Sequence, residues 1–221
     1  LHPSPPPPAK KIASSHALLA LLLLFTVCFQ SALASSGMFK KFGPDEVKDK
    51  SKVKSSQQRA IRQAIQSQFP NFEPYMDQLM PKKAEIQVAK CEGKVNVVMI
   101  EGEPLFYNLR DGPYYPTLRV VHKYPFIMPT MRVDAGAIKF VLSGANIMCP
   151  GLTHKNVVEE LAQNPVDGNT PVTILAEGKE HALAIGHTQM SSKEIIDVNK
   201  GIGVNVVHTL NDGLWKTIKL D

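Results

Sequence analysis

The chain has 221 residues, of which 43% are hydrophobic and 20% are charged, and its formal net charge is +5. These values are ordinary for a globular protein, and the length allows a sizeable core in one or two domains. The mild excess of positive charge permits a phosphate-rich partner without requiring one. The three cysteines, Cys28, Cys91 and Cys149, form no Cys-x-x-Cys pair, which excludes that zinc-binding signature.

The first segment of the chain, residues 1–37, differs from the rest. Its proline-rich start predicts an extended, disordered stretch. Two lysines, the apolar run 17–29 and the small residues around Ala34 then form the pattern of a secretory signal. The apolar run is too short for a bilayer, which needs roughly 20 residues. We leave this segment out of the fold prediction.

Residues 38–129 predict a small α+β domain. Its first part, residues 40–54, is rich in lysine, and we expect it to be basic and mobile. Ser55 or Ser56 can cap a helix with one apolar stripe, and Pro70 ends that helix.

A second short helix is predicted from Pro74, which suits a first helical position. Pro116 can open a third short helix, which Tyr124 and Pro125 close. Three apolar runs between turn signals predict a small antiparallel sheet: Ile86–Lys90, Val95–Ile100 and Leu105–Tyr107.

Aromatic and basic residues occur together near the end of this domain. They could stack on bases and contact phosphates, or they could form a hydrophobic core at a domain junction, which is the interpretation we favour. The residues concerned are Tyr114, Tyr115, Arg119, His122, Lys123, Tyr124 and Phe126.

The stretch from Val133 to Leu152 predicts a capped helix, a glycine turn and a short strand. Asp134 can cap the helix because its carboxylate accepts hydrogen bonds from free backbone N–H groups. Three residues at helical spacing, Ile138, Val141 and Leu142, form the apolar face, and Lys139 falls outside it. Ser143-Gly144 ends the helix, and Pro150-Gly151 ends the strand that begins at Asn146.

A hairpin and a second helix follow. Residues 153–170 predict a loop or a short helical turn. The strands 171–175 and 182–185 flank a turn at Gly178-Lys179. A helix begins at Ser191 or Ser192 and ends at Lys200-Gly201, where a cation and a glycine suit a C-terminus. A strand over Val204–Val207 and a final turn lead to Trp215, which we expect to pack in the core.

The helix, Gly-Ala, strand and Pro-Gly order of residues 133–152 resembles the start of a PUA domain, a small RNA-binding pseudo-barrel. Residues 112–127 and Met38-Phe-Lys-Lys-Phe42 extend the likeness to the malignant T-cell-amplified sequence family, over nearly all of residues 38–216. The resemblance implies an α+β protein in which a small N-terminal α+β domain, 38–129, precedes a C-terminal PUA pseudo-barrel, 130–217.

The resemblance also implies an RNA-binding surface. Glycine lets a phosphate approach backbone N–H groups closely, and an outward lysine supplies charge. Each glycine could equally serve only its own turn, and the sequence does not separate the two interpretations. The candidates carried over from the family are Lys139, Ser143, Gly144, Ala145, Asn146, Met148, Pro150, Gly151, Lys200, Gly201 and Gly203.

For function, the resemblance implies a non-catalytic translation factor on the small ribosomal subunit. It would act in unconventional initiation, in reinitiation and in the recycling of deacylated tRNA after termination. It would contact ribosomal RNA and tRNA as a heterodimer with a density-regulated-type protein. We expect no cofactor, no membrane or DNA partner, and a cytoplasmic location. The signal-like pattern at 1–34 would then be artefactual, because the family-like start follows it at Met38.

Two alternatives remain open. The first is an RNA-modifying enzyme or its accessory subunit, because PUA domains accompany such enzymes. The residues offer no catalytic constellation: Ser143 lacks the Gly-x-Ser-x-Gly context, and Gly178-Lys179 lacks the upstream glycine of a phosphate loop. The second is a secreted protein, which the leader alone favours.

Overall fold

The computed structural model describes residues 37–220. The leader, with its signal-like pattern at 1–34, lies outside the described residues. Within that range the chain forms two five-stranded sheets, each accompanied by short helices. The α-helices are α1 Ser55–Gln68, α2 Met76–Leu79, α3 Leu118–Lys123, α4 Ile138–Leu142, α5 Val158–Gln163, α6 Ser192–Val198 and α7 Gly213–Lys216.

The first sheet is antiparallel throughout, and its strands follow chain order. Its central strands are mostly buried, and so are Ile61 and Ile65 of α1. The predicted helix and the three predicted strands are therefore present. The strands are β1 Val47–Lys52, β2 Ile86–Cys91, β3 Val95–Ile100, β4 Glu103–Leu109 and β5 Tyr114–Pro116.

The prediction of a mobile basic segment before α1 is wrong for β1. Its backbone pairs with β2, although its side chains are almost all exposed. Lysine is tolerated there because β1 is an edge strand, where charged side chains face water. Lys48 and Lys52 also form ion pairs of 2.9 Å with Glu92 and Glu85.

Three local predictions in this domain need correction. The N-cap of α1 is Lys54, without a side-chain cap, so Ser55 and Ser56 lie inside the helix. Pro74 lies within a 3-10 helix, Pro70–Tyr75, instead of opening α2. Pro116 ends β5 and pairs with Phe106, so α3 begins only after Thr117.

The second sheet has the strand order β6-β8-β9-β10-β7. One pair, β6 with β8, is parallel, and the other neighbours are antiparallel. The predicted hairpin is β8 with β9, and its core includes Val172, Ile174 and Val204. These strands are β6 Thr130–Val133, β7 Ile147–Met148, β8 Pro171–Ala176, β9 Ala184–Thr188 and β10 Ile202–Thr209.

The ends of α6 confirm one predicted cap and correct the other. Ser191 accepts from the Glu194 backbone N–H, and the Glu194 carboxylate accepts from the Ser191 N–H, which is a capping box. The helix ends at Asn199, which adopts the left-handed conformation with φ of 44°. The C-terminal cap predicted at Lys200-Gly201 therefore lies one residue too far along the chain.

The segment that begins at Met38 links the two sheets. Phe39 is 1% exposed, and its ring lies 4.8 Å from that of Tyr107 in β4 and 5.7 Å from that of His208 in β10. The Gly213 N–H donates to the Phe39 carbonyl at 2.7 Å. A Cβ at Gly213 would lie 2.0 Å from the Phe42 carbonyl oxygen, so only glycine fits against this segment.

Candidate nucleic-acid interface

Short-range hydrogen bonds define both ends of α4. Asp134 accepts from the Gly136 N–H at 2.8 Å and caps the helical turn that leads into α4, as predicted. At the other end, the Gly144 N–H donates to Val141 and the Ala145 N–H donates to Phe140, at 2.9 and 3.0 Å. This is a Schellman motif, and Gly144 supplies its left-handed residue with φ of +85°.

Strand β7, which follows α4, pairs with β10 and so brings the remaining predicted residues next to the turn after α4. Met148 in β7 lies opposite Ile202 in β10, and the Cys149 N–H donates to the Gly201 carbonyl at 3.0 Å. We call the resulting area the α4–β10 surface. It consists of the eleven residues predicted from the family resemblance, together with Phe140 and Ile202. Its two chain segments, 139–151 and 200–203, are far apart in sequence, and the pairing of β7 with β10 joins them.

The predicted residues differ in how much they present to a ligand. Five are exposed, and these are the ones a ligand could reach directly: Lys139, Ser143, Met148, Pro150 and Lys200. Four are half-buried: Ala145, Asn146, Gly151 and Gly201. Two are buried: Gly144 and Gly203.

Three predicted residues have clear structural roles. The Asn146 Oδ1 accepts from the Val206 N–H at 3.1 Å, next to a register shift in β10. A Cβ at Gly203 would lie 2.9 Å from a methyl carbon of Leu152, so this glycine makes room for the core. The Ser143 hydroxyl donates to the Phe140 carbonyl at 2.7 Å. For these three residues, a role in a turn or in core packing is enough to explain why this residue type occurs at the position.

Phe140 and Ile202 were missed by the sequence reasoning. They are 55% and 40% exposed, and Met148 opposite Ile202 is 50% exposed. The Lys139 ammonium lies 4.9 Å from the centre of the Phe140 ring. Phe140 could have been identified, because it falls off the apolar face of α4 as Lys139 does. Exposed apolar and cationic side chains together can stack on bases and contact phosphates.

The aromatic and basic cluster of residues 114–126 is largely a domain junction. Tyr115 and Tyr124 are buried, while Phe126 remains 42% exposed. The Arg119 guanidinium lies 4.8 Å from the centre of the Trp215 ring, and its Nη2 donates to the Trp215 carbonyl at 2.6 Å. The structure thus agrees with core packing for Tyr115 and Tyr124, whereas Trp215 is half-buried and packs against Arg119 at the junction.

The two cysteines in the described part of the chain, Cys91 and Cys149, show no sign of activation for chemistry. Burial raises the pKa of the Cys91 thiol to about 11 and also raises that of Cys149. A raised thiol pKa lowers the population of the nucleophilic thiolate. Within residues 37–220, no group of three or more His, Cys, Asp or Glu side chains could hold a metal ion. No helix in that range is long and apolar enough to cross a membrane.

Two domain families match this chain. Residues 40–125 match the Pre-PUA-like domain, and residues 129–210 match the PUA domain. The second match contains the α4–β10 surface. The α+β fold class predicted from the sequence, with a PUA domain in second place, is confirmed.

Similar proteins of known name cover nearly the whole described region. Malignant T-cell-amplified sequence 1 of Danio rerio is 49% identical over 185 residues, which is 82% of this chain and 100% of the relative. Translation machinery-associated protein 20 of Saccharomyces cerevisiae is 48% identical over 179 residues, 80% of this chain and 97% of the relative. Neither name indicates a catalytic family.

Solved structures share the fold at low sequence identity. A hypothetical protein of Pyrococcus horikoshii superposes with a TM-score of 0.60 at 22% identity, covering 77% of this chain and 99% of that one. A conserved PUA domain protein of Thermoplasma acidophilum gives a TM-score of 0.54 at 15% identity, with 77% and 99% covered. These likenesses concern the two-domain fold.

Proposed function

This chain belongs to the malignant T-cell-amplified sequence family, and we propose on that basis that it is a non-catalytic, RNA-binding translation factor. Two findings support the proposal. A PUA domain spans residues 129–210, and a yeast relative at 48% identity is named for its association with the translation machinery.

The finer role follows from the family resemblance. The protein would act on the small ribosomal subunit in unconventional initiation, in reinitiation and in the recycling of deacylated tRNA. It would do so in the cytoplasm, as a heterodimer with a density-regulated-type protein, and would position RNA without a cofactor. The eleven predicted residues of the α4–β10 surface would contact ribosomal RNA or tRNA.

The observation that carries the proposal is the arrangement of the α4–β10 surface. Lys139 and Lys200 are exposed at the two chain segments that β7 and β10 bring together. The same surface carries the exposed side chains of Met148 and Ile202, which lie opposite each other, and the Schellman turn at Gly144. Cations at both segments can meet phosphates, while the apolar side chains offer a stacking surface for bases.

The test reverses both charges, Lys139→Glu and Lys200→Glu, in the full chain. We expect binding to purified small ribosomal subunits to weaken roughly tenfold to hundredfold at low salt, because two favourable phosphate contacts become repulsive. The difference from wild type should shrink as salt increases. Co-sedimentation across a potassium chloride series measures both effects.

The matched control is Lys83→Glu with Lys155→Glu, which changes the net charge equally at two exposed positions outside the α4–β10 surface. Co-sedimentation of the Lys139/Lys200 variant that equals wild type at every salt concentration would remove this surface from the proposal.

A further inference from the structure

A second basic area lies where the two domains meet. It is a groove of about 570 Å³ with the chain segment after Phe39 on one side and the segment after α7 on the other. Four exposed lysines line it: Lys40, Lys41, Lys216 and Lys219. We call it the lysine groove. The sequence pattern predicts only a mobile basic segment for the first two lysines, and the function proposed for the α4–β10 surface does not use any of the four.

The lysine groove is held in shape by buried contacts. Phe39 is buried and packs against both Tyr107 and His208, so the two lysines that follow it extend from a fixed position. On the opposite side, Asp212 caps α7 by accepting from the Trp215 N–H at 2.8 Å. The end of the chain is held by a hydrogen bond from the Leu220 N–H to the Gly102 carbonyl at 2.9 Å.

The charge in this groove is not neutralised by the described part of the protein. No carboxylate lines it, and none of its four lysines takes part in an ion pair between residues 37 and 220. Four ammonium groups around one open groove repel each other, and a polyanion would relieve that repulsion. The groove therefore suits a ligand with regularly spaced negative charges.

The lysine groove continues into the α4–β10 surface. A neighbouring groove of about 410 Å³ is lined by Lys40 and Lys216, which it shares with the lysine groove, and by Ser143 and Gly144. Its one lining carboxylate, Asp212, is 9% exposed and accepts from the backbone N–H groups of Thr209 and Trp215. A positively lined path thus runs from the turn after α4 to the junction.

We propose that the lysine groove is a second RNA-binding site, which holds the sugar–phosphate backbone of the same RNA that occupies the α4–β10 surface. RNA is favoured over an acidic protein segment because a peptide partner needs an apolar anchor at the centre of its site. The lining does contain three apolar side chains, Phe42, Pro44 and Ile218, of which Ile218 is 64% exposed. The four lysines outnumber them, and charge is therefore the dominant feature of the groove. This inference rests on the proposed function.

The test uses the full chain, a fluorescein-labelled RNA hairpin with a single-stranded tail, and fluorescence anisotropy between about 50 and 200 mM salt. The groove variant is K40Q/K41Q/K216Q/K219Q, in which glutamine keeps much of each side-chain stem. We expect the affinity at low salt to fall roughly hundredfold. The slope of log affinity against log salt should become shallower by about three, because each lost phosphate contact removes roughly 0.7 to 0.9.

Two further variants separate specific contacts from general effects. K83Q/K90Q/K94Q/K155Q removes the same charge from exposed positions outside both grooves and should retain most of the affinity and the slope. K40R/K41R/K216R/K219R keeps the charge and should bind as wild type does. Thermal unfolding by circular dichroism confirms that each variant is folded.

Each outcome decides between the interpretations. A groove variant that binds RNA no more weakly than the K83Q/K90Q/K94Q/K155Q control overturns the second site, and so does one that keeps RNA binding but loses binding to labelled polyglutamate. In either case, loss of RNA binding by K139Q/K200Q would still support the proposed function. A wild-type chain that binds no RNA at all would overturn both.

Discussion

At the scale of single residues, His187 shows how burial sets the behaviour of a titratable group. It lies in β9 and is 1% exposed. Burial disfavours the charged imidazolium and lowers the pKa to about 4, although the backbone at Asn169 and Thr188 partly opposes that shift. His187 is therefore neutral in the folded protein at neutral pH.

This lowered pKa predicts a pH-dependent stability. Between about pH 6.5 and pH 4 the unfolded chain takes up a proton at His187 that the folded chain does not, so stability falls as the pH falls. The loss should reach about 3 kcal/mol near pH 4. Urea unfolding at a series of pH values, with wild type and His187→Gln in parallel, measures it. Identical pH profiles for the two proteins would contradict the prediction.

Residue-level predictions from the sequence were accurate where the cause is local. The Asp134 cap and the left-handed Gly144 depend on a few neighbouring residues, and both are present. Gly203 is a different case, because its lack of a side chain accommodates Leu152, about fifty positions away in the chain. The sequence could place it in the candidate site but could not show that it serves the core.

At the scale of elements, α6 depends on its first turn. The capping box of Ser191 and Glu194 satisfies backbone N–H groups that would otherwise lack partners at a helix N-terminus. Ile195 of this helix is fully buried in the core of the second sheet. Fraying of α6 would therefore loosen the packing behind Lys200.

We predict that Ser191→Ala lowers the free energy of unfolding by about 1 kcal/mol, because the helix loses one capping acceptor. Ser191→Asp, which keeps an acceptor, serves as the matched control and should stay close to wild type. Chemical denaturation followed by circular dichroism measures the difference. Equal stability of the alanine variant and wild type would show that the capping box contributes nothing.

The same scale shows which elements the sequence could specify. The stripe of α1 and the β8–β9 hairpin carry strong periodic patterns, and both were predicted. The edge strands β1 and β5 were missed. β1 is rich in lysine and lacks alternation, and it is a strand because β2 lies beside it. β5 has only three residues and ends in proline. Its composition therefore does not predict a strand, and it is one because it pairs with β4.

At the scale of the whole molecule, Phe39 links the two domains, in addition to the contacts of Arg119 with Trp215 and of Leu220 with Gly102. We predict that Phe39→Ala lowers the free energy of unfolding by about 3–5 kcal/mol, the usual range for emptying a buried phenylalanine site. It should also separate the unfolding of the two domains, because the ring packs against Tyr107 of the first sheet and against His208 of the second.

Differential scanning calorimetry measures both effects, with Phe39→Leu as the control that keeps an apolar side chain and removes less volume than alanine does. We expect one transition for wild type and two for the alanine variant. A single transition at an unchanged temperature would mean that Phe39 does not couple the domains. The order of the two domains was predictable from the sequence. Their contact was not, because Phe39, Tyr107 and His208 are distant in the chain and share no pattern.

The position of Phe39 also has a consequence for how the protein is made. The ribosome produces the chain from its N-terminus, so Phe39 leaves the exit tunnel early, together with the strands of the first sheet. Its pocket is completed by His208 and closed by Gly213, which are synthesised about 170 residues later. Domains generally fold in the order of their synthesis. The first domain must therefore keep the Phe39 ring without its full set of packing partners until the second domain has been synthesised.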